Sequence, residues 1–154
     1  MPERYSVVIA DTSCIILLDE IDELILLQKL FGAITTTFEI AREFGKELPD
    51  WVLVKTVTDI RYQALLEFEI DKGEASAITL AVESNPSLLI IDDLKARKLA
   101  DKLNLLYTGT LGVIIKAKEQ GLITKIKPIL EKIQLTNFRL SAKIYNEIIT
   151  IVGE

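Results

Sequence analysis

Short apolar runs alternate along the chain with stretches of helical period. Tyr5 to Ala10 predicts a strand, and Thr12 or Ser13 can cap the helix that follows through Cys14-Ile15-Ile16-Leu17-Leu18. From Asp22 to Leu30 the apolar Leu24, Leu27 and Leu30 share one helical face. Ala33 to Thr36 predicts a second strand, and Thr37 then leads a short helix through Ile40, Glu43 and Phe44 that Gly45 stops. Trp51 to Val57 alternates and is rich in β-branched residues, as suits a strand at a sheet edge. Asp59 to Ile70 predicts a helix and Asp71-Lys72-Gly73 a break. Glu74 opens the next helix, Ala75 to Ser84, which Asn85-Pro86 ends. Leu88 to Ile91 predicts a strand, Leu94 to Leu103 a helix, and Leu105 to Tyr107 a last short strand. Helices over Thr110 to Gln120, Lys125 to Ile133 and Ser141 to Val152 close the chain. Such alternation implies an α/β fold, a parallel sheet with helices on both faces.

No repeat, low-complexity segment or long Gly/Ser/Pro linker interrupts this pattern, so residues 1–154 are expected to form a single domain. Apolar residues make up 49% and charged residues 27%, the balance of a globular chain rather than a disordered one. No apolar run approaches the ~20 residues that span a bilayer, and Met1-Pro2-Glu3-Arg4-Tyr5 lacks a signal-peptide layout. A cytoplasmic protein with no membrane partner is the expectation. Cys14, the single cysteine, sits in an apolar helical stretch and is expected in the core. The chain has no histidine, which excludes a histidine general acid or base. Its net charge of −5 argues against a broad basic surface for nucleic acid. That objection weakens if bound metal neutralises clustered acids.

The acids carry the remaining chemistry. Asp11 follows the run Val7-Val8-Ile9-Ala10, and Asp92-Asp93 follow Leu88-Leu89-Ile90-Ile91. In open α/β sheets, ligands bind beyond the carboxyl ends of the strands. Glu43 lies on the helix after the second strand, and Glu74 at the start of a later helix. Two carboxylates ~4 Å apart repel by ~4 kcal/mol at an effective dielectric near 20. If these acids meet, a proton or a divalent cation must sit among them, and oxygen donors suit Mg²⁺ or Mn²⁺. Each acid also has a plain reading: Asp11 and Asp92-Asp93 as turn formers or caps, Glu74 as a partner of the helix dipole, Glu43 as part of a solvated face.

Several blocks together resemble PIN-domain proteins, and among them the small VapC-like subgroup of toxin ribonucleases. They are Val8-Ile9-Ala10-Asp11-Thr12-Ser13, Gly73-Glu74-Ala75-Ser76-Ala77-Ile78, and Leu89-Ile90-Ile91-Asp92-Asp93 with Ala96-Arg97 and Ala100. Thr108-Gly109-Thr110-Leu111-Gly112-Val113 follows, then Ala117-Lys118, Gly121-Leu122-Ile123 and Phe138-Arg139-Leu140-Ser141. The resemblance implies a three-layer α/β/α sandwich on a parallel sheet of about five strands, and metal-dependent cleavage of RNA. The family's metal-binding acids carry over to Asp11, Glu43, Glu74 and Asp92. Glu39 is the alternative to Glu43, because Thr37 stands where the family usually has a Pro; Asp93 is the alternative to Asp92. Thr12 or Ser13 matches the hydroxyl often found beside the first acid. A homodimer and a small antitoxin partner are also implied.

The function expected is therefore a Mg²⁺- or Mn²⁺-dependent endoribonuclease, the toxin of a toxin–antitoxin pair. Asp11, Glu74 and Asp92 would hold the metal, with Asp93 as an adjunct, and Glu43 would complete the shell. Thr12, Ser13 or Thr110 would position water or phosphate, and Gly109 and Gly112 could bring backbone N–H groups close to a phosphate. The rival expectation is a catalytically inactive PIN-fold module acting through a protein partner. A receiver-like phosphoacceptor fits poorly, because the adjacent acid pair comes late. A haloacid-dehalogenase-type phosphatase fails, because position 13 is Ser.

Overall fold

A computed structural model describes residues 5–154. Met1 to Arg4, part of the segment read as lacking a signal-peptide layout, lie outside the described residues. The strands are β1 (Val7–Ala10), β2 (Ile34–Thr37), β3 (Val52–Lys55), β4 (Ser87–Ile90) and β5 (Leu106–Thr108). They form one sheet in the order β3-β2-β1-β4-β5, with every pairing parallel. β2 and β4 are buried along their whole length, whereas the edge strands β3 and β5 are partly open to solvent. A strand covered on both faces needs an unbroken apolar run, which is why β1 and β4 read so plainly in the sequence.

The helices are α1 (Thr12–Glu20), α2 (Ile25–Phe31), α3 (Phe38–Phe44), α4 (Ile60–Leu66), α5 (Lys72–Glu83), α6 (Leu94–Lys102), α7 (Thr110–Glu119), α8 (Lys127–Gln134) and α9 (Ala142–Val152). One group packs through α1, α3, α4 and α5, and another through α2, α7 and α9. With the sheet between them the architecture is the expected three-layer α/β/α sandwich. Ile9, Leu89 and Ile90 of the central strands meet Ile15, Leu18, Ile78 and Ile114 in a fully buried core. Cys14 is buried with them, and burial pushes its thiol well above the ordinary range, so it stays a protonated core group.

Two local expectations need correction. Neither Thr12 nor Ser13 caps α1: the helix already begins at Thr12, and Asp11 occupies the cap position without a side-chain cap hydrogen bond. Asp71-Lys72-Gly73 is not a break but the start of α5. Asp71 Oδ1 accepts from the Glu74 N–H at 2.8 Å, and Glu74 Oε1 accepts from the Asp71 N–H at 3.2 Å. That reciprocal pair is a capping box, and it lengthens the helix toward its N-terminus. Elsewhere local chemistry holds as read. Thr37 Oγ1 accepts from the Ile40 N–H at 3.1 Å to cap α3, and Gly45 ends it at φ +73°, a conformation that favours glycine. In the closing helices Leu130, Ile133 and Ile148 are buried within the chain's own core, leaving Ile144 and Ile151 exposed. Among the described residues, no helix is long and apolar enough to cross a membrane.

Candidate active site

The sheet order builds the site. From β1 the chain winds outward to β2 and β3, then returns to lay β4 on the other side of β1 and β5 beyond it. The winding therefore changes direction between β1 and β4, the place where open α/β sheets form their ligand crevice. In register, Ala10 faces Ile90, and the Asp11 N–H donates to the Ile90 carbonyl at 3.1 Å. Asp11 and Asp92 thus leave adjacent strands at the same edge, although 80 residues separate them in sequence.

Asp11 is 2% exposed, and neither its Oδ1 nor the Thr12 hydroxyl finds a hydrogen-bond partner among the described residues. Burial raises the Asp11 carboxyl to about 7. The Thr12 backbone N–H, second in size to burial, opposes the rise, while the charges of Asp71, Glu43 and Asp92 each add to it. Glu74 is likewise raised to about 7, first by burial and then by Asp71, with Asp93 and Asp11 adding to the effect. Acids from four separate parts of the chain therefore sense one another across a single crevice.

The other predicted residues take distinct places. Glu43 reaches over the first turn of α5: a Cβ on Gly73 would come within 3.0 Å of Glu43 Oε2 and 3.4 Å of Thr12 Oγ1. Glycine at position 73 leaves the room these two groups occupy. Glu39 and Glu43 both line one groove with Phe38 and Arg42, and of the two Glu43 is the one whose charge reaches Asp11. Asp92 is held by Thr110, whose N–H donates to Oδ1 at 2.8 Å and whose hydroxyl donates to Oδ2 at 2.6 Å. Thr110 is fully buried, so both of its donors serve the carboxylate, and its N–H is not left for a phosphate. Asp93 is exposed and caps α6, its Oδ2 accepting from the Ala96 N–H at 3.0 Å. Ser13 is also exposed.

Two contributors went unread in the sequence. Asp71 adds charge to both Asp11 and Glu74, and the Asp71-x-x-Glu74 spacing of a capping box was there to reveal it. Arg97, noted only as part of a motif, stands with Nη2 3.9 Å from Asp92 Oδ1.

The donor set is all oxygen, and its deepest member, Asp11, has an unpartnered buried atom. That chemistry fits Mg²⁺ or Mn²⁺. Among the described residues no three acidic or thiol side chains form a group able to enclose a metal ion. A Mg²⁺ ion usually keeps several waters and takes only one or two carboxylates, so an open cluster of this kind is compatible with it.

Comparison with known proteins agrees with the fold. The family model described as "PIN domain" matches residues 7–154. No curated protein and no solved structure matches the chain. With its five-stranded parallel sheet and a family match over nearly its whole length, the chain belongs to the PIN-domain family, a nuclease fold.

Proposed function

We propose that this protein is a Mg²⁺- or Mn²⁺-dependent endoribonuclease that hydrolyses phosphodiesters at the crevice between β1 and β4. The observation that carries the reading is Asp11: a buried carboxyl with an unpartnered oxygen, pressed by three other acids, at the switch point of the sheet. A site that raises its own carboxyl to about 7 spends stability on holding negative charge together, and a divalent cation would relieve it.

In this reading Asp11, Glu74 and Asp92 would hold the cation, partly through the waters it keeps, and Glu43 would complete the shell. A cation there supplies Lewis acidity toward the phosphodiester and makes a water easier to deprotonate. Thr110 fixes the orientation of Asp92 by donating to both of its oxygens, each of which keeps a further lone pair for a cation or its waters. Glu74 keeps Oε2 available, because Oε1 is engaged by the Asp71 N–H. Thr12 offers a hydroxyl that has no partner among the described residues and can orient a water. Asp93 contributes charge near Glu74 while its side chain caps α6. The resemblance of the motif blocks to toxin ribonucleases supports a biological role as the toxin of a toxin–antitoxin pair, with a small antitoxin and a second copy of the chain as partners. Purified protein should cut single-stranded RNA with Mn²⁺ and stop with EDTA. Equal cutting by an Asp11→Asn variant would remove the assignment.

A second reading, an inactive PIN-fold module acting through a protein partner, is favoured by the open acid cluster and the net charge of −5. Calorimetric titration with Mn²⁺ separates the two. Heat and a raised melting temperature belong to the nuclease, and no binding belongs to the module.

A further inference from the structure

Asp92 forms one wall of a hollow of about 370 Å³ on the β5 side, which Arg97, Tyr107, Thr108, Gly109, Leu111 and Gly112 complete. Arg97 is held there by its surroundings. Its Nε donates to the Ile91 carbonyl at 2.9 Å, and its guanidinium lies 5.5 Å from the centre of the Tyr107 ring. Tyr107 is itself anchored, its hydroxyl donating to Asp101 Oδ2 at 3.2 Å. A side chain at position 109 would collide with the guanidinium and crowd Asp92 Oδ1, so Gly109 is what lets both groups approach the start of α7.

The contact with Asp92 does not explain this placement. An arginine that served to neutralise a carboxylate would grip it bidentately at 2.7–2.9 Å or so. Arg97 instead stands 3.9 Å away, and among the described residues neither of its two amino groups makes a hydrogen bond. A planar fork, oriented by an aromatic face and a backbone carbonyl with its outer donors free, matches the geometry that binds phosphate oxygens. Among the described ion pairs, Arg97–Asp92 is the one that brings a cation to the acid cluster. A chain of net charge −5 needs such a cation if a polyanion is to approach six acids.

We propose that Arg97, presented in the hollow between Tyr107 and the start of α7, binds a backbone phosphate of the substrate strand next to the one that is cleaved. This inference rests on the ribonuclease reading. It makes Arg97 a binding residue for the strand rather than a support for Asp92.

The test measures binding apart from cleavage. A fluorescent single-stranded oligoribonucleotide is titrated with the full chain carrying Asp11→Asn, in Mn²⁺ and at several salt concentrations, with and without Arg97→Gln or Arg97→Lys. Arg97→Gln should weaken binding at least tenfold and lower the salt dependence by about one released ion. Arg97→Lys should keep the salt dependence and recover part of the affinity. In the otherwise wild-type chain, Arg97→Gln should raise KM about tenfold with kcat changed less than threefold. An oligodeoxyribonucleotide of equal length should show the same loss, because the phosphate is common to both. Unchanged affinity and salt dependence in a folded Arg97→Gln chain would overturn the proposal while leaving the nuclease reading intact. A fall in kcat alone would overturn it too, in favour of support for Asp92. A loss confined to RNA would overturn the phosphate assignment in favour of the ribose. An Arg97-dependent salt effect in a chain that never cuts RNA would support the phosphate site and sink the nuclease reading.

Discussion

Thr110 holds Asp92 by both carboxylate oxygens, one bond from its N–H at 2.8 Å and one from its hydroxyl at 2.6 Å. Asp92 is thereby oriented by the first residue of α7, a helix that begins 18 residues later in the chain. Thr110→Val keeps the shape and the N–H but removes the short hydroxyl bond. Cleavage should fall roughly 10- to 100-fold, with a stability loss of about 1–3 kcal/mol for the unmet oxygen. Thr110→Ser should restore most of both. Cleavage rates and thermal melts of the two variants give the comparison, and full activity in Thr110→Val would show that the orientation of Asp92 is unimportant.

Asp11 sets stability against function. Asp11→Asn removes a buried negative charge from among Asp71, Glu43 and Asp92 at little change in volume. Without metal at pH 8, the variant should be more stable than the parent by about 1–3 kcal/mol, since like charges nearby disfavour the ionised acid. RNA cleavage in Mn²⁺ should drop at least a hundredfold. A variant that melts lower and cuts normally would contradict both halves.

The raised acids also dictate a pH response. Asp11 and Glu74 ordinarily lose their protons near 3.8 and 4.5, but in the folded chain they hold them to about 7. Across that window the native state binds protons that the unfolded chain has released, so metal-free stability falls as pH rises from about 4 to 7 and then levels off. For Asp11 alone the change is on the order of 4 kcal/mol; Glu74, half open to solvent, contributes less. Mn²⁺ affinity should run the opposite way, increasing as pH rises through 7, because the same oxygens must be free of protons. Urea unfolding at pH 5 and pH 8, with EDTA, checks the first part. Greater stability at pH 8 would be the wrong sign.

Gly73 tests Glu43. In Gly73→Ala the new Cβ would lie 3.0 Å from Glu43 Oε2, and an exposed glutamate can swing aside. Alanine in a helical turn should offset the crowding through its better propensity, leaving stability within about 1 kcal/mol. Cleavage should nevertheless fall several-fold as Glu43 is displaced. An unaltered rate would take Glu43 out of the site.

The α/β alternation was readable because its causes are short-range. β1 and β4 are buried on both faces and so appear as unbroken apolar runs. Thr37 and Gly45 bound α3 through bonds to residues three or four positions away. At Asp71-Lys72-Gly73 the glycine reads locally as punctuation, whereas the capping box that overrides it needs only two side chains at the right spacing.

Composition and local pattern, then, determined that there would be strands tipped with acids, helices to cover them and no histidine to do other chemistry. Tertiary structure alone decided that β1 lies beside β4, that Glu43 leans over Gly73, that Thr110 sits beneath Asp92, and that Arg97 rests on Tyr107 rather than gripping the acid. The reason is physical. A residue's local preference depends on neighbours a few bonds away, whereas the meeting of distant side chains depends on which strand order buries the most apolar surface with permitted crossovers, a property that no short stretch of the chain contains.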